Sequence, residues 1–265
     1  KSKKKHKKPN LSTYVVTKKS MAAVQTEDEQ KKAIESIKAR LIGMLEEEKI
    51  GDETVDRFAR ARAYDVDETT KMLSDYIKWR KETKLETITM DTEAVSKEAA
   101  TKKAYFLGND KAGKPLILIH GGGHDPSTSP VANVVTFALF MLETACSNLP
   151  PGEETFTVIS DYSTFGYANM DNDLLKEGAH VLQAYYPERL GDIYLTNYPF
   201  LMWGIWKVVS LWVDEKTREK FHFIDNLEDL QQVIEKKTLP DFLGGDFEDH
   251  IPPDGSVGVD RLKKY

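Results

Sequence analysis

The sequence predicts an α/β fold in which a helical N-terminal unit precedes a lobe built on a mainly parallel sheet. Apolar residues recur with helical spacing through most of the first hundred residues. Short apolar strands then alternate with helices of ten or more residues, a pattern that favours parallel pairing with right-handed crossovers. An almost wholly apolar stretch, 200–213, follows late in this second part. We expect the helical unit over 26–95 and the α/β lobe over 96–265.

Charge is divided unevenly along the chain. The net charge is −6 over 265 residues, yet the first eight residues carry six lysines and no acid, so the remainder carries −12. An acidic body argues against general nucleic-acid binding, which gains its affinity by neutralising phosphates. The lysine-rich segment 1–25 lacks sustained periodicity, and we expect it to be a basic disordered arm.

Cysteine content and hydropathy indicate the compartment. The single cysteine, Cys146, allows no internal disulfide, which agrees with a reducing environment. Lysines rather than an apolar run open the chain, so no leader peptide or spanning segment is predicted. We expect a cytoplasmic protein.

Three helices are predicted in the N-terminal unit. Thr26 and Glu29 have capping-box spacing, and the helix they open ends at Gly51. Its predicted apolar stripe consists of Ile34, Ile37, Leu41, Ile42 and Leu45. A short helix follows from Asp52, and another begins at Asp67.

The lobe alternates strands and helices. Strands are predicted at 115–120, 155–160, 193–196 and 220–224, and helices at 131–147, 174–186 and 227–235. Asp171 and Asp173 suit the start of the second of these helices, where the helix dipole favours acids. Residues 239–245 form a turn-rich closing segment.

The helix predicted over 200–213 is apolar nearly all round. Its neighbouring faces hold Leu201, Ile205, Val208 and Trp212, and Met202, Trp206, Val209 and Val213. A helix of this kind must be buried in a core or a membrane, or cover an apolar cavity. Fourteen residues are too few to span a bilayer, which needs ~20. A core helix and a lid over an apolar ligand both remain open at this point.

Motifs for catalysis and metal binding are incomplete. HGGGHD at 120–125 resembles the oxyanion segment of α/β-hydrolase esterases, but the chain has no G-x-S-x-G nucleophile elbow. The six histidines lack the paired spacing of zinc sites, and no phosphate-binding glycine loop occurs. The sequence therefore predicts a protein that is not an enzyme and has no metal centre.

Two charged clusters remain as candidate binding groups. Arg57, Arg60 and Arg62 lie on one short predicted helix. Thr217 and Lys220 are three residues apart, so a helix after Asp214 would put a hydroxyl and a cation on one face. Such a pair suits a phosphate group.

Several long runs resemble the CRAL-TRIO lipid-binding family. DETVDRFARARAYDVDETTKMLSDYIKWR resembles that family's helical N-terminal region, and the run from YYPERLGD to KFHF resembles its core signature. LPDFLGG resembles its closing motif, so the resemblance covers roughly 30–245. It implies a sheet that floors an apolar pocket and a gate helix that closes it. The apolar helix over 200–213 then becomes the gate, with Phe200, Trp203 and Trp206 on it.

The yeast-type phosphatidylinositol transfer branch of the family implies a headgroup site. Its arginine matches Arg62, the acid of its Y-P-E-R turn matches Glu188, and its threonine and lysine after the gate match Thr217 and Lys220. The lysine expected directly after the arginine is Ala63 here, so Glu188 loses that partner.

The second ligand is left open by the same resemblance. The positions that hold phosphatidylcholine in that branch match Phe106, Ile117, Phe156 and Val158, all apolar. Burying an uncompensated headgroup there costs several kcal/mol. We therefore expect phosphatidylinositol and a second, different hydrophobic ligand.

A fungal branch of the family implies an alternative. It binds haem through a tyrosine in a D-Y strand exit, and Asp161-Tyr162 matches that motif. The helper histidine and arginine of that branch are Ser160 and Ala138 here. Tyr162 is thus a metal ligand under the haem alternative and otherwise a pocket-lining residue.

The resemblance leads to the hypothesis of a non-enzymatic, cofactor-free monomer that binds phosphatidylinositol. It would associate peripherally with membranes and exchange the lipid at a transient membrane surface. Trp203 and Trp206 suit a membrane interface. Three alternatives differ in class: a haem-binding protein, an esterase, and a scaffold that only binds proteins.

Overall fold

The computed structural model describes residues 25–211, 213, 215–247 and 257–263. All of the predicted basic arm except Gln25 lies outside the described residues, as do Trp212 and Asp214. The described residues form a helical N-terminal part followed by a five-stranded, mainly parallel sheet, which confirms the predicted fold class.

Four helices precede the sheet: α1 (Glu27–Glu47), α2 (Asp52–Ala61), α3 (Val66–Thr83) and α4 (Glu93–Ala100). The Thr26/Glu29 capping box at the start of α1 is confirmed. Ile37, Leu41 and Leu45 are buried against α2 and α3, but Ile42 is 60% exposed, so its place in the apolar stripe was wrong. Because Ile42 directly follows Leu41, it is rotated by about 100° from the buried stripe.

The helix boundaries differ from prediction near Arg57, Arg60 and Arg62. Helix α2 ends at Ala61, and Ala63 and Tyr64 have left-handed φ values of 49° and 59°. Helix α3 begins earlier than predicted because Asp65 caps it, accepting from Glu68 N at 2.8 Å. Helix α4 was not among the three helices predicted for this part of the chain.

The sheet has the order β1 (Ala104–Asn109), β2 (Pro115–His120), β3 (Phe156–Asp161), β4 (Leu190–Thr196) and β5 (Phe221–Phe223). β1 was not predicted and pairs antiparallel with β2, whereas the remaining pairs are parallel. Its six residues contain the bulge glycine Gly108 and are followed by a turn.

Helices α5 (Val131–Ser147) and α6 (Asn172–Tyr185) separate β2, β3 and β4 along the chain. Asp171 caps α6, accepting from Asp173 N and Leu174 N, which confirms the predicted role of this acidic pair. Residues 227–232 form a 3₁₀ turn instead of the predicted α-helix. Leu230 within this turn and Ile234 just after it are nevertheless buried, as their apolar spacing predicted.

The predicted apolar helix is shorter than expected. Helix α7 covers Leu201–Val209, and α8 (Glu215–Arg218) lies between it and β5. The Ser210 hydroxyl donates to Lys207 O at 3.3 Å at the end of α7, a local bond that competes with helix continuation. No helix among the described residues is long and apolar enough to cross a bilayer.

Candidate functional site

One face of the sheet carries the apolar positions predicted to contact a ligand. The strand registers align Phe106 with Ile117, Ile117 with Val158, and Val158 with Ile193. Phe156 lies two residues before Val158 and therefore points to the same face. Phe106, Ile117, Phe156 and Val158 are at most 5% exposed. The structure thus brings these four predicted residues together on one face.

Helix α7 lies against the last strand of that face. Ile193 aligns with Phe221 of β5, so Phe221 and Phe223 extend the same apolar face. The Trp203 ring stacks on Phe223 at a centroid distance of 4.8 Å, and the Trp206 ring lies 4.7 Å from that of Phe221. The two tryptophans therefore join α7 to the sheet, as expected for the inner side of a cover.

The other side of α7 is apolar and exposed. Phe200, at the N-terminus of α7, is 89% exposed, and Leu211, just after it, is 80% exposed. Val208 within the helix is 48% exposed. Phe200 therefore lies on the outer surface rather than against the strands.

Three of the predicted headgroup residues, from the segments before and after α7, lie in one region. The Glu188 carboxylate forms an ion pair of 2.7 Å with Lys216, the residue before Thr217. The Lys220 backbone N–H donates to Thr217 O at 3.2 Å, and its ammonium donates to Leu190 O at 2.6 Å, two residues after Glu188. Glu188, Thr217 and Lys220 thus belong to one region, formed by the Y-P-E-R turn and α8.

Glu188 has the backbone conformation of a constrained turn residue. Its φ is 56°, in the left-handed region that a non-glycine residue adopts at a cost. Its side chain is 21% exposed, whereas that of Lys216 is 66% exposed. Lys216 was not singled out from the sequence. Lys216 supplies the cation that pairs with Glu188, since Ala63, which stands where the family has a lysine, carries no charge.

Arg62 lies in a different environment. Its guanidinium donates to the neighbouring Ala61 O at 3.3 Å and lines a cavity of 220 Å³ with residues of α3 and α6. Asp75, His180 and Tyr185 are among those residues. The structure therefore places Arg62 beside α3 and α6 and shows the other three headgroup candidates around the Glu188 turn.

Arg57 holds the Y-P-E-R turn to the N-terminal helices. Its guanidinium is 3% exposed and donates to Pro187 O at 2.9 Å. Burial, together with the nearby Arg189 cation, lowers the pKa of Arg57 to about 10. Arg189 in turn donates to Glu154 O at 3.0 Å. The sequence showed Arg57 as one of three spaced arginines but carried no sign of this long-range contact.

Tyr162 is enclosed at the end of β3. Its ring meets Phe165 edge-on at 5.3 Å, and a Cβ on Gly121 would lie 2.7 Å from it. Burial raises the pKa of Tyr162 and outweighs a hydrogen bond with Ser160. The haem alternative therefore depends on Tyr162 without the helper histidine and arginine, whose matched positions are Ser160 and Ala138.

The HGGGHD segment has a packing role. Gly121 and Gly122 let the segment approach Tyr162 and Thr164 closely. The two histidines are engaged within the protein: His120 lies 3.4 Å from Asp161, and the His124 Nε2 atom lies 3.2 Å from Asp171. Among the described residues, no group of three or more His, Cys, Asp or Glu side chains is arranged to hold a metal ion.

Comparison with known proteins identifies similarity over most of the chain. A model of the CRAL/TRIO domain matches residues 99–245. The phosphatidylinositol transfer protein CSR1 of Eremothecium gossypii is 29% identical over 220 residues, which cover 78% of this chain and 50% of that protein. The SEC14 cytosolic factor of Candida glabrata is 26% identical over 250 residues, which cover 84% and 80% respectively.

Relative lengths and fold complete the comparison. The first three curated relatives match over 19%, 50% and 44% of their own length, so the chain spans half of them or less. The crystal structure of Sfh5 is similar with a TM-score of 0.70 at 18% identity, covering 89% of this chain and 94% of that one. At this identity the likeness concerns the fold alone.

Proposed function

The chain belongs to the CRAL/TRIO domain family, and from that premise we propose that it binds phosphatidylinositol and transfers it between membranes. Relatives named as phosphatidylinositol transfer proteins support the ligand class. The observation that carries the proposal is the position of α7. It lies against β5 through Trp203 and Trp206, and the chain then continues into α8, where Lys216 pairs with Glu188.

The polar cluster suits the headgroup. Lys220 and Thr217 offer an ammonium and a hydroxyl to the phosphate, and charge-assisted hydrogen bonds of this kind are roughly twice as strong as neutral ones. Glu188 is an acceptor for inositol hydroxyls or, as in this structure, for Lys216. Arg62 completes the headgroup set only if it moves from the cavity beside α3 and α6.

The sheet face suits the acyl chains. Phe106, Ile117, Phe156 and Val158 present apolar surface without a hydroxyl, so a zwitterionic headgroup placed there would lack hydrogen-bond partners. The part of the second ligand that contacts these four residues is then apolar. Mass spectrometry of copurified lipids identifies it.

Opening of α7 would allow the lipid to exchange between the protein and a membrane. Each acyl methylene gains ~0.8 kcal/mol in the protein or in the bilayer, so transfer is nearly neutral and the protein's task is to lower the barrier. Phe200, Val208 and Leu211 present apolar side chains that a membrane surface can accept while Trp203 and Trp206 leave Phe221 and Phe223. The protein therefore acts as a cytoplasmic carrier that meets membranes peripherally.

The double variant Thr217→Asp/Lys220→Ala tests the headgroup assignment. We expect it to lower phosphatidylinositol transfer between vesicles at least tenfold, because a carboxylate repels the phosphate and the ammonium is gone. Lys97→Ala is the matched control, since Lys97 is an exposed lysine on α4 that pairs with Glu93 at 2.6 Å. Unchanged transfer by a folded double variant would contradict the assignment.

Three other outcomes separate the alternatives. Soret absorbance of protein supplied with haem would support the haem alternative. Turnover of acyl esters that one serine substitution removes would indicate an esterase. A protein that extracts no ligand from vesicles would instead be a protein-binding scaffold.

A further inference from the structure

A second cavity lies away from α7, on the edge of the sheet formed by β1. It measures 290 Å³ and lies between the end of β1, the segment 235–238 and the C-terminal segment 261–263. Its lining includes four cationic side chains, Lys111, Lys237, Arg261 and Lys263. We call it the basic cavity.

Hydrogen bonds hold the walls of the basic cavity together. Asn109 is 8% exposed, accepts from Lys263 N at 2.8 Å and donates to Gly113 O at 2.6 Å. Lys111 donates from its backbone to Val233 O at 2.9 Å and from its ammonium to Gln231 O at 2.7 Å. Lysines from three separate chain segments are therefore kept around one space.

Gly108 permits the C-terminal segment to approach β1. Its φ is 123°, and a Cβ at this position would lie 3.3 Å from Arg261 O and 3.8 Å from the Thr238 methyl group. The Arg261 guanidinium lies 5.0 Å from the centre of the Phe247 ring, which restrains it beside the cavity. The bulge in β1 thus serves to bring cations from the C-terminal segment to the sheet edge.

The acids that share the lining do not cancel this charge. Asp110 accepts hydrogen bonds from Ala112 N, Lys114 N and the Thr157 hydroxyl, so its carboxylate is engaged by the strand turn. Glu235 also lines the cavity. Four cations and two acids leave an excess of positive charge in a chain whose net charge is −6.

Two of the lysines are available to a ligand. Lys237 and Lys263 are exposed, and within the described part of the chain neither ammonium forms a hydrogen bond or ion pair. Thr238 lines the same space. Two lysines and a threonine around one cavity suit an anion that has several acceptor oxygens, and phosphate is the anion of that kind that Lys commonly binds in proteins.

We propose that the basic cavity is a binding site for a phosphate-bearing ligand, either a phosphorylated small molecule or a phosphorylated lipid headgroup. Lys237 and Lys263 contact the phosphate, and Arg261 and Thr238 contribute to its charge and hydrogen bonding. This site is separate from the cluster at Glu188 and does not depend on the proposed lipid transfer.

Isothermal titration calorimetry of the full chain with inorganic tripolyphosphate tests the site. We expect saturable binding that weakens as salt increases, because exposed charges are screened. The double variant Lys237→Ala/Lys263→Ala is expected to lose at least tenfold in affinity. The control Lys78→Ala/Lys97→Ala removes two exposed lysines from α3 and α4 and should bind as the unmodified chain does.

Vesicle sedimentation separates the two ligand sources. If the source is a lipid, the unmodified chain binds phosphatidylcholine vesicles better when they contain a phosphorylated phosphoinositide, and Lys237→Ala/Lys263→Ala removes the gain. If the source is a soluble molecule, both proteins sediment alike while tripolyphosphate binding still differs between them.

Absence of saturable tripolyphosphate binding, or equal affinities in both double variants, would overturn the proposal. Phosphatidylinositol transfer is expected to be unchanged by Lys237→Ala/Lys263→Ala. A failure at this site is therefore distinguishable from a failure of the headgroup assignment at Thr217 and Lys220.

Discussion

Helices α5 and α7 are both mainly apolar, but they use their apolar surface differently. The buried residues of α5 are Val134, Phe137, Leu139, Met141, Leu142 and Ala145. In α7, all of which is described, Met202 alone is buried, and Val208 is 48% exposed. Apolar composition therefore does not determine burial. The apolar side chains of α7 that are not buried are candidates for contact with a ligand or a membrane.

The two helices are also held in place by different contacts. α5 is part of the main hydrophobic core through its own side chains. α7 is flanked by two polar contacts: Asn197 donates to Asp161 at 2.8 Å before it, and Lys216 pairs with Glu188 at 2.7 Å after it. The opening of α7 that we propose would separate it from the sheet while these flanking contacts persist, and four substitutions examine this difference.

Phe137→Ala in α5 is expected to have the largest effect on stability. Removing a fully buried phenylalanine costs about 3–5 kcal/mol in the free energy of unfolding, because a cavity remains. Urea denaturation followed by circular dichroism measures this value. If the loss were no larger than for the same substitution at exposed Phe200, the contrast between α5 and α7 would be wrong.

Asp161→Asn is expected to have the second largest effect, with a characteristic dependence on pH. Burial acts to raise the pKa of Asp161, but hydrogen bonds from His120, Asn197 and Ser163 outweigh it, and the pKa lies below its ordinary value. A depressed pKa in the folded state stabilises the protein above the unfolded pKa of about 3.9. That stabilisation is lost as pH falls through the folded value.

We therefore expect Asp161→Asn to cost about 2 kcal/mol near neutral pH and progressively less at acidic pH. Urea denaturation at both pH values measures the difference. Asp246→Asn is the control, because Asp246 forms an exposed pair with Lys236. A cost for Asp161→Asn that does not change with pH would contradict the role of its charge.

Lys216→Ala is expected to change stability by less than about 1 kcal/mol, since the Lys216 side chain is 66% exposed. Its effect should appear instead as amide hydrogen exchange up to about fivefold faster in α7 than in the unmodified chain, with α5 unchanged. Lys207→Ala, an exposed lysine within α7, is the matched control. Equal acceleration in α5 and α7 would show that Lys216 does not act on α7 specifically.

Phe200→Ser is expected to have the smallest effect on stability, within about 0.5 kcal/mol, because the side chain is 89% exposed. Vesicle sedimentation should nevertheless show weaker membrane association, since the serine cannot enter the apolar interface. Tyr167→Ser serves as the control, because Tyr167 is also exposed, at 80%, but lies away from α7 in the chain. Identical losses for both variants would argue against α7 as the membrane-contacting element.

Local signals in the sequence were reliable where neighbouring residues decide the structure. The capping box at Thr26 and the Asp171 cap follow from short-range hydrogen bonds, and β2 and β3 were located from short apolar runs. β1 escaped prediction, and α7 proved shorter than its apolar pattern suggested. In both cases, contacts outside the segment decide its extent.

The residues of the candidate site were likewise predictable only in part. The apolar residues on β1, β2 and β3 were identified by matching motifs, and the strand registers place them on one face. The contacts of Arg57 with Pro187 and of Lys216 with Glu188 join residues 130 and 28 positions apart. Such long-range pairs produce no periodic pattern in the sequence, so only the tertiary structure reveals them.

The sequence by itself therefore determined the family resemblance, the order of the four parallel strands, and the presence of an unusually apolar helix beside a hydroxyl and a cation. Only the tertiary structure decided which side of that helix is exposed, which cation meets Glu188, and that Lys237 and Lys263 share a cavity. The physical reason is that backbone propensity and apolar spacing act over a few residues. Burial and charge pairing depend instead on segments that folding brings together from distant parts of the chain.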